Sequence, residues 1–188
     1  MTFRSTERQL SPRSEAAERR GFGKGFLIRA AGRSLVGYAA TFGTEASVAD
    51  FTETIAPGAF TEALRSGVDI VALQDHDPSR VLARTRSGTL KLTEDAKGLA
   101  FDIAIPNTQA GADVLALAER GDLGGMSFGF TVPKGGERWQ GKRRELLRLD
   151  LREISVVSAW PAYEGTIVAA RMRLPARLAR ARRFLETV

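Results

Sequence analysis

The chain holds a single histidine, His76, in the run VALQDHDPSRVLAR, and farther on a serine, Ser127, in the glycine-framed segment GDLGGMSFGF. Imidazole is the side chain best suited to moving protons near neutral pH. A serine hydroxyl is a weak nucleophile until a neighbouring base takes its proton. A lone histidine and a serine presented on a glycine turn are the minimum kit for acyl transfer, provided the two meet. Each has a plainer reading. Asp75 and Asp77 flank the histidine, so DHDP also reads as a polar turn before Pro78. Glycine-framed serines are common in turns.

A third polar residue stands out by its parity. Successive side chains on a strand alternate faces. In ELLRLDLREISVV, Leu147, Leu149 and Leu151 therefore share one face, and the same face continues to Glu153, Ser155 and Val157. A carboxylate at an apolar position is costly to bury without a partner. A histidine N–H is one candidate partner, and Arg80 or Arg84 in a structural ion pair is another. The strand MSFGFTV places Met126, Phe128, Phe130 and Val132 on one face and the small residues Ser127, Gly129 and Thr131 on the other. A face without bulk leaves room for a substrate backbone. Gly124 and Gly125 allow unusual backbone angles, and such a turn can aim N–H groups at a developing oxyanion.

Composition removes several alternatives. There is no cysteine, which excludes disulfides, thiolate zinc sites and cysteine nucleophiles. One histidine excludes the usual multi-histidine zinc sites, and neither a metal nor a cofactor is expected. No apolar run approaches the roughly 20 residues of a membrane span, and no membrane partner is expected. The first twenty residues have no apolar stretch behind their charges, so they do not read as a secretory signal, and an intracellular compartment is expected. GFGKGF lacks the spacing of a phosphate loop and reads as a basic linker. Glu94, Asp95 and Asp102 flank a turn and read as solvated surface. Trp139 and Trp160 have no aromatic partners at a spacing that suggests base stacking, so nucleic acid is not expected as a specific ligand. The KRR cluster after Gly141 reads as a hairpin tip.

The net charge of +6 is unevenly spread. Residues 1–35 carry +5, residues 36–170 carry −4 and residues 171–188 carry +5. The middle is mildly acidic, and the basic ends suggest electrostatic docking to an acidic partner.

These residues have to be held by short strands. FLIRA, SLVGYAATF, VDIVALQ, GTLKLTED, LAFDIAIP, MSFGFTV, RELLRL and REISVVSAW all read as β, separated by turn residues. Two helices interrupt them. APGAFTEALRSG has Pro57 near its start and Gly67 just past its end. NTQAGADVLALAERGD has Asn107 or Thr108 as a cap and Gly121 as a stop. The expected organisation is a flexible basic arm over 1–24, one domain over 25–171 and a basic helix or tail over 172–188. The expected fold is mainly β with flanking helices (α+β), a closed or nearly closed barrel of about seven strands.

The ordered segments GYAATF (37–42), APGAF (56–60), HDPSRVLAR, GLAFDI, GDLGGMSFGF and REISVVSAWPAY, with Arg171 beyond, resemble the prohead maturation proteases of tailed bacteriophages. Ala83 stands where that family usually has glycine, and Asp75 where it usually has asparagine. The resemblance runs from about residue 36 to 171 and implies a serine endopeptidase with a barrel like that of the herpesvirus capsid proteases. It implies a catalytic Ser127 and His76, with Glu153 chosen as third member from its matching strand. It also implies scaffold and major capsid protein segments, and the protease itself, as substrates. A homodimer or higher homo-oligomer is implied, working inside the immature procapsid in the host bacterial cytoplasm. The competing expectation is a non-catalytic capsid- or nucleic-acid-binding assembly module that uses its basic ends.

Overall fold

The computed structural model of the chain describes residues 18–22, 29–31 and 33–159. The tail of 172–188, the P-A-Y element, Arg171 and Trp160 lie outside the described residues, as does the arm ahead of residue 18.

The fold is mainly β with few helices, and its strands form three sheets that do not close into a barrel. The sheet that carries the polar residues runs in the order β1 (Glu18–Phe22), β10 (Gly125–Thr131), β13 (Asp150–Val157), β6 (Val71–Gln74), β7 (Asp77–Arg84). A second sheet runs β11 (Glu137–Gln140), β12 (Arg143–Leu146), β5 (Phe51–Ile55), β4 (Ala46–Val48). The third runs β2 (Arg29–Ala31), β3 (Ser34–Thr41), β9 (Gly98–Ala104), β8 (Leu90–Glu94). The expected barrel is thus replaced by thirteen short strands among the described residues, split over open sheets. The eight strand-like runs missed β4, β5, β7 and β11, and strand β1 was put inside the basic arm. The KRR cluster does sit at a hairpin tip, with the β11–β12 turn at Gly141 and Lys142.

Apolar alternation builds the core. Leu35, Leu99 and Ile103 of the third sheet are fully buried, as are Phe128 and Phe130 of β10 and Phe60. The Phe60 and Phe128 rings meet edge to face at 5.8 Å, and Phe128 stacks with Phe130 at 5.2 Å. Each such ring contributes about 1.5–3 kcal/mol by leaving water.

Helix ends follow their sequence signals, but the first helix starts at Thr61, four residues beyond Pro57. In α2 (Gln109–Arg120), Thr108 is the cap, its Oγ1 accepting the Gly111 N–H at 3.2 Å, and Gly121 ends the helix at φ 75°. The short α1 (Thr61–Arg65) begins where Glu94, reaching over from β8, accepts the Gly58 N–H at 2.7 Å and the Thr61 hydroxyl at 2.6 Å. Asp95 accepts the Tyr38 hydroxyl at 2.6 Å. Both carboxylates are therefore structural; Asp95 stays exposed, as the sequence suggested, while Glu94 is half-buried.

The buried Arg144 fastens β1 to the second sheet. Its guanidinium donates to Glu18 at 2.6 and 2.8 Å, to Glu53 at 2.9 Å and to Glu137 at 2.6 Å. Burial works against its charge, but the three carboxylates outweigh burial and raise its pKa.

Candidate active site

Strand β10 is sandwiched between β1 and β13, with Ser127 opposite Gly21 on one side and Ser155 on the other. Ser127 is in the body of this strand, not on the preceding turn, and is only 4% exposed.

Pairing between β10 and β13 contains a bulge. Gly129 faces Glu153, but the next residue, Phe130, faces Leu151, so Arg152 is the extra residue. The bulge changes the parity read from the sequence. A break between β12 and β13 also separates Leu147 from Leu151 of β13. Leu151, Ile154 and Val156 pair with Phe130, Phe128 and Met126 on the core face. Glu153 and Ser155 are on the opposite face, beside Gly129 and Ser127. Glu153 therefore does not continue a leucine face. It belongs to the polar face of the serine strand.

Gly129 explains how the carboxylate fits. A Cβ placed there would lie 2.7 Å from Glu153 Cγ and 3.0 Å from its Oε1. The space that the small face leaves is filled by the glutamate arm, not kept for a substrate backbone.

His76 arrives from the other side. Strands β6 and β7 form a hairpin whose two-residue turn is Asp75–His76, with φ of 52° and 59°. Positive φ at both positions matches the right-handed twist of the flanking strands. Such angles in non-glycine residues need support from their surroundings. Asp75 supplies it: its N–H donates to Val156 O at 2.9 Å, and its carboxylate accepts the Ser158 N–H at 2.7 Å and hydroxyl at 2.9 Å. Asp77 accepts the Ser79 hydroxyl and N–H at 2.6 and 2.8 Å, which holds its carboxyl below the ordinary range. Sequence reasoning noted the aspartates only as turn formers. The clue to Asp75 was its match to a position where asparagine is usual, since both residues tolerate positive φ.

From this turn, His76 Nδ1 lies 2.7 Å from Glu153 Oε1, with the two side chains 22% and 13% exposed. The arginines that could have claimed the glutamate are committed elsewhere. Arg80 reaches Asp113 at 3.5 Å, and Arg84 reaches Asp69 at 3.2 Å. Ser127 and Glu153 are diagonal neighbours on paired strands, a relation that puts Cβ atoms about 7–8 Å apart.

Beside this row lies a cavity of about 370 Å³ whose lining includes Val71, Leu73, Pro78, Val81, Gly129 and Glu153, with Arg84 and Arg152 also contributing. Among the described residues no group of three or more His, Cys, Asp or Glu side chains could hold a metal, and no helix is long and apolar enough to cross a membrane.

A histidine–carboxylate pair sharing a sheet face with a buried serine has the group inventory of a serine hydrolase. The sequence matches the caudovirus prohead serine protease family over residues 27–178, and the chain belongs to that family. It is thus a member of a family of hydrolases of phage capsid maturation. No curated protein and no solved structure matches it.

Proposed function

We propose that the chain is a serine endopeptidase in which Ser127, His76 and Glu153 act as one relay. The observation that carries this reading is the 2.7 Å contact between His76 Nδ1 and Glu153 Oε1 on the sheet face of Ser127. With its Nδ1–H donated to the carboxylate, the imidazole keeps Nε2 as the basic atom. Nε2 takes the Ser127 proton while Oγ bonds to the peptide carbonyl carbon. The imidazolium, stabilised by Glu153, then gives that proton to the leaving amine as the C–N bond breaks. Water, deprotonated by the same nitrogen, cleaves the resulting ester and returns the serine. No metal or cofactor enters any step.

Family membership supports segments of the scaffold and the major capsid protein as substrates, together with the protease itself, cut within the immature procapsid in the host cytoplasm. A homodimer or higher homo-oligomer belongs to the same reading. The two ends, each carrying +5, are suited to hold the enzyme on acidic scaffold segments until cleavage is finished.

The test is Ser127→Ala. Co-expressed with its capsid protein, this variant should leave the protein uncut while folding as the wild type does by circular dichroism. In purified enzyme, removal of such a nucleophile lowers turnover by about 10⁶-fold. Retained cleavage would take Ser127 out of the mechanism and leave the assembly-module reading.

A further inference from the structure

The cavity beside Glu153 has a chemistry that the relay does not use. Its floor is apolar and on one sheet face: Val71 and Leu73 of β6 pair with Glu153 and Ser155, and Val81 of β7 pairs with Leu73. Val81 is 42% exposed, so the floor is open to a ligand. The charges around the floor are unevenly satisfied. Glu18 is bound by Arg144, Glu153 by His76, and Arg84 by Asp69. Arg152 is exposed and makes no ion pair among the described residues. It is the extra residue of the bulge in β13, and the bulge lets its side chain and that of Glu153 line the same space despite being neighbours in sequence.

We infer that this cavity is the subsite that selects the peptide, seating an apolar side chain on Val71, Leu73 and Val81 while Arg152 pairs with a carboxylate close by in the same peptide. The inference rests on the peptidase reading, and the spacing supports it. Ser127 and Gly129 are two residues apart on one strand, about 7 Å along it. A peptide whose scissile carbonyl lies at Ser127 thus brings a residue one or two positions away over the cavity. The volume is within the usual range for pockets that engulf a small apolar group, about 300–1,000 Å³. An aliphatic or aromatic side chain fills it, and an aspartate or glutamate within two residues meets the unpaired guanidinium in the geometry arginine favours for carboxylates.

The experiment uses the purified full chain and a substrate library of denatured, undigested bacterial proteome, with the newly formed termini sequenced by mass spectrometry. Ser127→Ala serves as the blank. Cuts present in the wild type and missing in the blank should show an apolar residue at one fixed position and Asp or Glu enriched within two residues of it. Arg152→Glu, a surface change, should cut acidic-flanked peptides about tenfold more slowly and shift the preference toward Lys and Arg. Val81→Glu should erase the apolar preference. Ser127-dependent cuts with no acidic enrichment, or an unchanged profile in Arg152→Glu, overturn the subsite and leave the peptidase reading intact. A library with no Ser127-dependent cut overturns both.

Discussion

Gly129→Ala tests the proposal that Glu153 aims the histidine. The glycine φ is outside the left-handed region, so the backbone accepts alanine, and the nearest obstacle is the Glu153 side chain. The new Cβ would sit 2.7 Å from Glu153 Cγ. Carbon atoms at ordinary contact are about 3.5 Å apart, so the arm has to retreat by about 0.8 Å. A retreat of that size takes the carboxylate from 2.7 Å to about 3.5 Å from His76 Nδ1, past the roughly 3.2 Å limit of a useful hydrogen bond. A hydrogen bond to a charged group contributes about 1.5–3 kcal/mol. At about 1.4 kcal/mol per tenfold in rate, acylation should slow by about 10- to 150-fold. The assay is the pseudo-first-order rate of labelling by a fluorophosphonate, with circular dichroism to check the fold. Combining Gly129→Ala with Glu153→Ala should be no slower than Glu153→Ala alone, because both act through one carboxylate. A Gly129→Ala rate within twofold of wild type would refute the idea that Glu153 orients the imidazole.

Two further outcomes follow from the same contacts. Asp75→Ala removes two hydrogen bonds to Ser158 and leaves a Cβ-bearing residue at φ 52°; it should lower stability by about 1–3 kcal/mol and slow labelling, whereas Asp75→Asn, which keeps an acceptor and tolerates that angle, should restore most of both, read by urea unfolding and labelling rate. Arg144→Met removes the guanidinium shared by the buried Glu53, Glu18 and Glu137; loss of one partner from a buried ionic group costs about 3–5 kcal/mol, so thermal unfolding should begin roughly 6–20 °C lower.

The strands that bear the site were legible because alternation over MSFGFTV, VDIVALQ and REISVV is strong and local. The two helices were legible from Thr108, Gly67 and Gly121. The serine's small face was visible, but its purpose was not: that Gly129 shelters Glu153 depends on which strand pairs with which, and residues 129 and 153 are distant in sequence. Glu153 was singled out by a parity argument that the structure does not follow. The bulge at Arg152 and the break after Leu146 shift the alternation, and neither leaves a mark in composition. Glu94 looked solvated because its partners, Gly58 and Thr61, belong to a helix start 30-odd residues earlier. Barrel closure was over-read for a related reason. Strand content is a local property, while closure depends on edges finding each other, and among the described residues β1, β7 and the ends of the other two sheets remain edges.

The placement of β1 also constrains how a polypeptide can approach. With Glu18–Phe22 on one flank of β10 and β13 on the other, the strand that carries Ser127 has no vacant ladder to extend. An incoming chain cannot dock by main-chain zippering onto that strand, a mode indifferent to side-chain identity. It has to lie across the exposed surface of the sheet, where sockets and charges discriminate among sequences. In the proposed protease, the strand that completes the sheet would thus also make substrate choice depend on side chains.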